Sequence, residues 1–201
     1  MSHNNATLAS LVASRLCHDL ISPVGAISNG LELLELTGIG TSSPELGLIS
    51  ESCAAARARI GVFRVAFGYA SEGQSLGAVE LARLLSAYCS GSRLTMTSRL
   101  DGDQSRAMSQ MALLAALCCE SALPVGGEIV LESQGNSVAV AAQGPRLSVD
   151  PELWDSLTQN GAAVVPSPAS VHFAMLRLLA DERSCPLSVE TGAERLVVKL
   201  G

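Results

Sequence analysis

Lysine and aromatic residues are scarce in this chain. Lys199 is the only lysine among 201 residues, aromatic residues make up 3%, and the formal net charge is −6. Binding to nucleic acid needs clustered Lys and Arg against the phosphates, and binding to single strands adds aromatic side chains for base stacking. The composition therefore argues against nucleic acid as the main partner.

A long apolar run is also missing. No run reaches the ~18 residues that a membrane span needs. The Met-Ser-His-Asn-Asn start has neither the basic nor the apolar region of a signal peptide. Hydrophobic residues still make up 48%, enough to fill a core. We therefore expect a cytoplasmic protein without a membrane partner.

The cysteines contain no C-x-x-C pair. A zinc site built from such pairs is therefore not expected, and neither is any other metal of the protein's own. Most of the thiols fall in apolar helical stretches, so we expect buried free thiols in a reducing compartment. The six positions are Cys17, Cys53, Cys89, Cys118, Cys119 and Cys185.

Two amphipathic segments open the chain. Apolar residues recur at steps of three and four over 6–37, the pattern breaks at Gly38–Ser43, and Ser43 can cap a second helix with Pro44 in its first turn. A short loop between two such helices predicts an antiparallel hairpin, and because one hairpin buries only a stripe per helix we expect a dimeric four-helix bundle. The seam of the second helix is Leu46, Ile49, Cys53, Ala56, Ile60, Phe63 and Phe67.

The rest of the chain has a mixed pattern. Ser71–Gly77 is interpreted as a linker, which gives a hairpin domain over 1–72 and a second domain over 76–201. The predicted fold class is α+β, with an α/β sandwich as the second domain. Helices are predicted over 79–89, 105–123, 151–158 and 170–181, and strands over 93–100, 128–133, 136–142, 187–190 and 195–200.

His18 is the first candidate functional residue. On the heptad of the first helix it falls on the face opposite the hairpin seam, where it is exposed. A neutral imidazole near pH 7 can take a phosphoryl group and pass it on. Asp19 follows directly and can hydrogen-bond the other ring nitrogen, while Arg15 and Ser22 flank the histidine one turn away on either side.

The neighbours of His18 fit that role. Arg15 can offset charge on a phosphoryl group. Gly25, one heptad on, leaves flat space for a partner, and Pro23 predicts a bend in the helix near Asp19. The other histidine in an apolar helix, His172, is expected to be a core residue with its hydrogen bonds satisfied.

The motifs resemble those of bacterial histidine kinases. His18–Val24 is similar to the dimerisation-helix box H-[E/D]-L-x-[T/S/N]-P-[L/V]. Gln110–Cys118 resembles the asparagine box of the kinase ATP domain, and the spacing continues through Pro124 to Gly126-Gly127-Glu128-Ile129, similar to the P-x-G-G-x-I hairpin.

The nucleotide residues of those kinases are absent. Cys118 stands where the family places the Mg²⁺-binding asparagine, and a thiol is a poor ligand for a hard cation. Ala142 replaces the aspartate that binds adenine. The glycine-rich lid overlays Ser167–Ala174, which contains no glycine. The resemblance therefore implies no ATP binding and no cofactor of the protein's own.

A kinase scaffold that keeps the acceptor and lacks the ATP site resembles ChpT-type histidine phosphotransferases. That resemblance implies a homodimer with a kinase-like, Bergerat-type second domain. His18 would take phosphate from the receiver domain of a CckA-like hybrid kinase, which supplies Mg²⁺, and pass it to CtrA-like and CpdR-like response regulators. Candidates for the docking surface around His18 are Ile21, Gly25, Arg57 and Arg64.

Two other functions stay open at this stage. One is an ATP-dependent histidine kinase with an atypical pocket, which tight ATP binding would support. The other is a non-catalytic kinase-binding adaptor or inhibitor on the same dimeric scaffold, in which His18 is incidental. An adaptor would keep its activity in a His18→Ala variant, whereas a relay would lose it.

Overall fold

The computed structural model describes residues 2–37, 44–135, 137–158 and 166–201. A long helical hairpin is followed by a mixed helix-and-sheet domain, so the predicted α+β class is confirmed at this level. The predicted loop Gly38–Ser43, including the Ser43 cap, lies outside the described residues, as does Asn136, the first residue of the strand predicted over 136–142.

The hairpin consists of α1 (Ser2–Thr37) and α2 (Pro44–Ala66), which pack against each other. Helix α1 continues through Pro23, whose side chain is buried. The proline therefore does not interrupt the helix. Pro44 occupies the first position of α2, where its missing N–H costs nothing.

One hairpin leaves part of the predicted seam open. Phe63 is buried and Cys53 is half-buried, whereas Leu46 and Ile60 of α2 and Leu31 of α1 are exposed. Large exposed apolar side chains on a regular helix mark a surface that another molecule can cover. The seam therefore extends beyond what a single chain buries.

The second domain contains a five-stranded sheet. The strand order is β2-β4-β5-β7-β6, with β2 parallel to β4 and every other neighbouring pair antiparallel. Its elements are β1 (Ser75–Leu76), α3 (Ala78–Cys89), β2 (Leu94–Arg99), β3 (Gln104–Ser105), α4 (Arg106–Ser121), β4 (Gly127–Gln134), β5 (Ser137–Gln143), α5 (Pro151–Asp155), a 3-10 turn (Pro168–Ser170), α6 (Val171–Glu182), β6 (Leu187–Thr191) and β7 (Arg195–Leu200).

Most predicted boundaries agree with the structure within two residues. Helix α5 is shorter than predicted, and the 3-10 turn before α6 was not foreseen. The predicted linker contains β1, which pairs antiparallel with β3. Two-residue strands carry no periodic signal, because a period of two needs several residues to show.

Helix α4 is at the centre of the core. Every residue from Ser109 to Cys119 is buried, as expected for a helix that is apolar on all sides. It packs against the sheet, against α6 and against the end of α2, and α2 adds Val62, Phe63 and Ala66 to the same core. The hairpin and the second domain are therefore joined by shared apolar packing, and the predicted boundary between residues 72 and 76 stays a prediction.

Side chains of α4 also bind the end of α2. Arg106 donates from Nη1 to the carbonyl of Val65 (2.7 Å) and from Nη2 to that of Arg64 (2.9 Å). The buried Gln110 amide donates from Nε2 to the carbonyls of Ala66 (3.3 Å) and Gly68 (2.8 Å). The last carbonyls of a helix have no partner within the helix. Arg106 and Gln110 of α4 therefore supply hydrogen-bond donors to the carbonyls at the end of α2.

The cysteine prediction is only partly right. All six thiols are free, and Cys118 and Cys119 are buried. Cys17 is exposed, because it precedes His18 on the outward-facing part of α1. Among the described residues, no helix has the length and apolarity to cross a bilayer, and no three His, Cys, Asp or Glu side chains form a group that could hold a metal ion.

Candidate functional site

His18 lies on the outer surface of α1 with its side chain 85% exposed. Ile21, one turn along, is 68% exposed, and Ser22 is exposed beside it. Gly25 continues this surface, and a Cβ built there would meet no atom within 4 Å. The structure thus brings these predicted residues onto one open stretch of helix, with room for a partner around the imidazole.

A series of hydrogen bonds runs from His18 to the second domain. The Nδ1 atom of His18 lies 3.0 Å from Oδ1 of Asp19. The other oxygen, Oδ2, accepts from Nε of Arg15 at 2.7 Å. Nη1 of Arg15 then donates to the backbone carbonyl of Ala169 at 2.9 Å. The carboxylate is therefore held from both sides.

This geometry fixes the tautomer of a neutral His18. An ionised carboxylate only accepts hydrogen bonds, so the Nδ1 atom that bonds Asp19 carries the proton. The lone pair is then on Nε2, at the exposed end of the ring. This nitrogen can attack an electrophile brought by another protein.

Arg15 and Asp19 are much less exposed than the histidine they support. Their side chains are 22% and 15% exposed. Charge pairs screened from water interact more strongly than fully exposed ones. The sequence predicts that Arg15 offsets charge on a phosphoryl group. In the structure its guanidinium donates to Asp19 and to the carbonyl of Ala169, and its role in transfer stays a prediction.

The two arginines proposed for docking, Arg57 and Arg64, are exposed on α2. The backbone carbonyl of Arg64 is one of those bound by Arg106, so this arginine projects from the anchored end of the helix. Neither takes part in the hydrogen bonds around His18. Their contribution to docking stays a prediction.

A polar cluster lies between α1 and the second domain, and the sequence analysis missed it. Tyr88 of α3 donates its hydroxyl to Oε2 of Glu120 at 2.9 Å. Burial raises the pKa of the Glu120 carboxyl, the bond from Tyr88 and the charge of Arg15 oppose that rise, and the charge of Asp19 adds to it. The available signal was Glu120 itself, a carboxylate directly after the apolar run Met111–Cys119.

His172 belongs to this region but differs from its predicted state. It is buried at the start of α6, and its Nε2 atom has no hydrogen-bond partner. The expectation of a satisfied core histidine is therefore wrong for this atom. Burial lowers the pKa of His172 to about 3, with the charge of Arg15 acting in the same direction and that of Asp19 against it.

A pH dependence of stability follows for His172. Its pKa of about 3 in the folded protein lies below the usual ~6.5 of the unfolded chain, so between these values only the unfolded chain binds the proton. Acidification from about pH 7 to about pH 5 should therefore lower the free energy of unfolding by about 2 kcal/mol through this residue. His172→Phe should lack this loss.

Denaturant titrations at both pH values, at one protein concentration, measure the difference. Phenylalanine keeps the ring contact with Phe173, whose centroid lies 4.9 Å from that of His172. Glu120, whose raised pKa acts in the opposite direction, is common to both proteins and cancels in the comparison. Equal pH slopes for the wild type and the variant would refute the assignment.

Several of the positions that the sequence aligns with the kinase nucleotide boxes are packed into the core. Cys118 and Ala142 are fully buried, and so are the lid-segment side chains of Val171 and Phe173. Burial also raises the pKa of the Cys118 thiol well above its usual range. A groove of about 530 Å³ does open between α3 and β2, but its lining contains none of these residues.

Gly144, two residues after Ala142, has a packing role. A Cβ on Gly144 would lie 2.7 Å from the Leu123 side chain and 2.8 Å from the carbonyl oxygen of Gly126. Gly126 has a φ of +94°, a conformation that glycine adopts readily. These glycines are therefore required where the chain before β4 approaches the end of β5, whatever the protein binds.

The fold and the site define a class of protein: a helical hairpin with an exposed, carboxylate-bonded histidine, joined to a mixed sheet domain. The family described as "Histidine phosphotransferase C-terminal domain" matches residues 78–195. Protein phosphotransferase ChpT of Brucella abortus (strain 2308) is 30% identical over 203 residues, covering 94% of this chain and 93% of that protein. The chain therefore belongs to the histidine phosphotransferase family.

A solved structure agrees with this membership. The structure described as a bacterial phosphotransferase at 1.7 Å superposes with a TM-score of 0.80 at 28% identity, covering 96% of this chain and 95% of that one. The resemblance to ChpT-type proteins is thus confirmed over nearly the whole chain. It supports a phosphotransfer role in two-component signalling.

Proposed function

We propose that this protein is the relay step of a bacterial phosphorelay. His18 accepts a phosphoryl group from the receiver aspartate of a hybrid histidine kinase and passes it to the receiver aspartates of response regulators. The observation that carries the proposal is the exposed imidazole whose Nδ1 is held by Asp19, which leaves Nε2 open. The relative named ChpT is itself a protein phosphotransferase.

The transfer needs few groups from this chain. The Nε2 lone pair attacks phosphorus as the bond to the receiver aspartate breaks, and that carboxylate leaves. Nδ1 keeps its proton, so the phosphorylated ring carries a positive charge that the Asp19 carboxylate offsets. The second transfer is the reverse, onto another receiver.

The partner supplies the rest of the chemistry. A receiver domain contributes the aspartate and Mg²⁺ to offset charge on the phosphoryl oxygens. This chain contributes an oriented nucleophile and a docking surface around it. The docking surface consists of four exposed residues, Ile21, Gly25, Arg57 and Arg64, and the exposed Ser22 beside the acceptor is a candidate for the transfer itself. CckA-like kinases with CtrA-like and CpdR-like regulators are the proposed partners.

The relay works without ATP in this proposal. A fully buried cysteine at position 118 offers Mg²⁺ no oxygen ligand, and alanine at position 142 has no side-chain acceptor for adenine. The second domain is thus a degenerate relative of the kinase ATP domain. Loss of these donors favours the relay over an ATP-dependent kinase.

Phosphotransfer with purified components tests the proposal. A receiver domain carrying labelled phosphate is mixed with the protein, and candidate regulators are added afterwards. We expect acid-labile label on the protein that is then chased onto a regulator. A parallel reaction with labelled ATP alone should give no label; label there would overturn the ATP-independent relay.

A homodimer is also part of the proposal. The hairpin exposes Leu31 on α1 and the seam residues Leu46 and Ile60 on α2. These side chains fit the two-chain four-helix bundle that the seam predicts, because pairing would remove them from water.

Leu31→Glu combined with Ile60→Glu is expected to convert the dimer to a monomer, since both charges would be buried in the bundle. Size-exclusion chromatography with light scattering at micromolar concentration measures the mass. Val79→Glu is the matched control, because Val79 is equally apolar and more exposed but lies on α3 of the second domain. A monomeric wild type would refute the dimer.

A further inference from the structure

The segment that overlays the kinase nucleotide lid lies against α1, beside the acceptor. The 3-10 turn Pro168–Ser170 and helix α6 both pack against α1. The turn presents the carbonyl of Ala169 to Nη1 of Arg15 at 2.9 Å. A backbone group of the second domain thus reaches the hydrogen bonds that support His18.

The turn itself is held firmly. The N–H of Ser167 donates to Oγ of Ser170 at 3.1 Å, and the two hydroxyl oxygens are 2.9 Å apart. Pro168 fixes one further φ angle. Directly after the turn, the ring of Phe173 packs edge-on against Trp154 with centroids 5.0 Å apart. The position of the Ala169 carbonyl is therefore set by the fold of the second domain.

Arg15 links the position of the Ala169 carbonyl to the orientation of the Asp19 carboxylate. Its planar guanidinium presents donors in fixed directions, so binding the Ala169 carbonyl through Nη1 determines where Nε points. Nε donates to one oxygen of Asp19, which leaves the other oxygen facing Nδ1 of His18. Without the Ala169 carbonyl, the guanidinium would have one fewer fixed contact and the carboxylate more freedom to rotate.

We propose that the Pro168–Ser170 turn positions the acceptor histidine, with Ala169 fixing Arg15, Arg15 fixing Asp19, and Asp19 keeping the proton of His18 on Nδ1. In this role Arg15 is a positioning residue, and the second domain acts on phosphotransfer without binding a nucleotide. The inference rests on the proposed function for its kinetic part only. The tautomer of His18 can be measured whether or not the relay exists.

The first test compares Arg15→Lys with Arg177→Lys. Lysine keeps the charge but lacks the planar fork, so it cannot hold both partners in the same geometry. Arg177 is a matched control, because it donates from Nε to Asp181 four residues on (2.8 Å) and from Nη1 to the carbonyl of Leu157 (3.1 Å). The full-length protein is used, with ¹⁵N-labelled histidine.

Two readouts distinguish positioning from general damage. In Arg15→Lys, the ¹⁵N shifts of His18 above pH 7 should move toward the Nε2-protonated tautomer. Single-turnover transfer from a phosphorylated receiver domain should slow roughly tenfold, with the half-saturating receiver concentration unchanged. Arg177→Lys should match the wild type in both. If Arg15→Lys also matches the wild type, the proposal is overturned.

The second test asks whether the turn acts through Arg15. Ser167→Ala with Ser170→Ala loosens the turn without touching α1, and it should slow transfer in the wild type but add little to Arg15→Lys. Fully additive effects would show independent action and would overturn the role of the turn. If the double serine variant fails to fold, Ala169→Gly loosens the same turn through backbone entropy alone.

The failure of this inference can be told apart from the failure of the relay. A wild-type protein that takes no label from the receiver refutes the relay, yet the tautomer comparison still decides whether Arg15 orients His18. A wild-type protein that takes label normally, with Arg15→Lys equal to it in rate and tautomer, refutes the positioning role alone.

Discussion

His18→Ala is expected to abolish phosphotransfer while leaving the fold intact. The imidazole supplies the nucleophilic nitrogen, and alanine has none. Because the ring is 85% exposed, its removal costs little packing, and alanine favours the helix. Labelled phosphate from a receiver domain should therefore reach the wild type and fail to reach the variant, with the circular dichroism spectrum unchanged.

The control for this experiment is His3→Ala, which removes a histidine from the same helix and should leave labelling unchanged. Receiver binding, measured by titration calorimetry, should persist in His18→Ala. Loss of label can then be assigned to the phosphotransfer step and not to a loss of binding. Label on His18→Ala at the wild-type level would mean that another residue is the acceptor. Full signalling by an unlabelled variant would instead support a non-catalytic adaptor.

Asp19→Asn is expected to have the second-largest effect, slowing transfer by roughly 10²-fold. The amide is neutral, so it cannot offset the charge of the phosphorylated ring. It can also turn its NH₂ toward Nδ1, which favours the tautomer with the proton on Nε2 and blocks the nucleophile. The change further removes the charge partner of Arg15.

Single-turnover kinetics over a range of receiver concentrations test this expectation. The loss should lie in the rate at saturation, because Asp19 is mostly covered and offers a partner little surface. Asp181→Asn is the matched control, since Asp181 accepts from Nε of Arg177 in the same i,i+4 arrangement, at the C-terminal end of α6. An Asp19→Asn protein as fast as the wild type would exclude a role for the carboxylate in transfer.

Much of the fold could be predicted because its signals are local. The steps of three and four along α1 and α2, and the alternation along β2, follow from the geometry of helices and strands. The predicted helix over 105–123 begins with Ser105, a residue type that favours N-caps, and its side chain accepts from the N–H of Met108. Boundaries set by capping or by a change of period therefore agree closely with the structure.

Only some of the hydrogen bonds around His18 could be predicted from the sequence. Asp19 and Arg15 are neighbours of His18 along one helix, so helical spacing places them together. Ala169 is 154 residues from Arg15 and contributes a backbone carbonyl, which no side-chain pattern reveals. Tyr88 of α3 and Glu120 of α4 likewise come from different elements, and only the tertiary fold brings their side chains together.

The hydrogen bonds from Arg106 and Gln110 to the end of α2 make the stability of the hairpin depend on the second domain. The carbonyls of Arg64, Val65, Ala66 and Gly68 find their donors in α4. In a chain shortened after the hairpin, these carbonyls would have only water as a donor, and the apolar end of α2 would be exposed to solvent. The hairpin and the second domain should therefore unfold together as one cooperative unit, and an isolated hairpin should be less stable than the full chain.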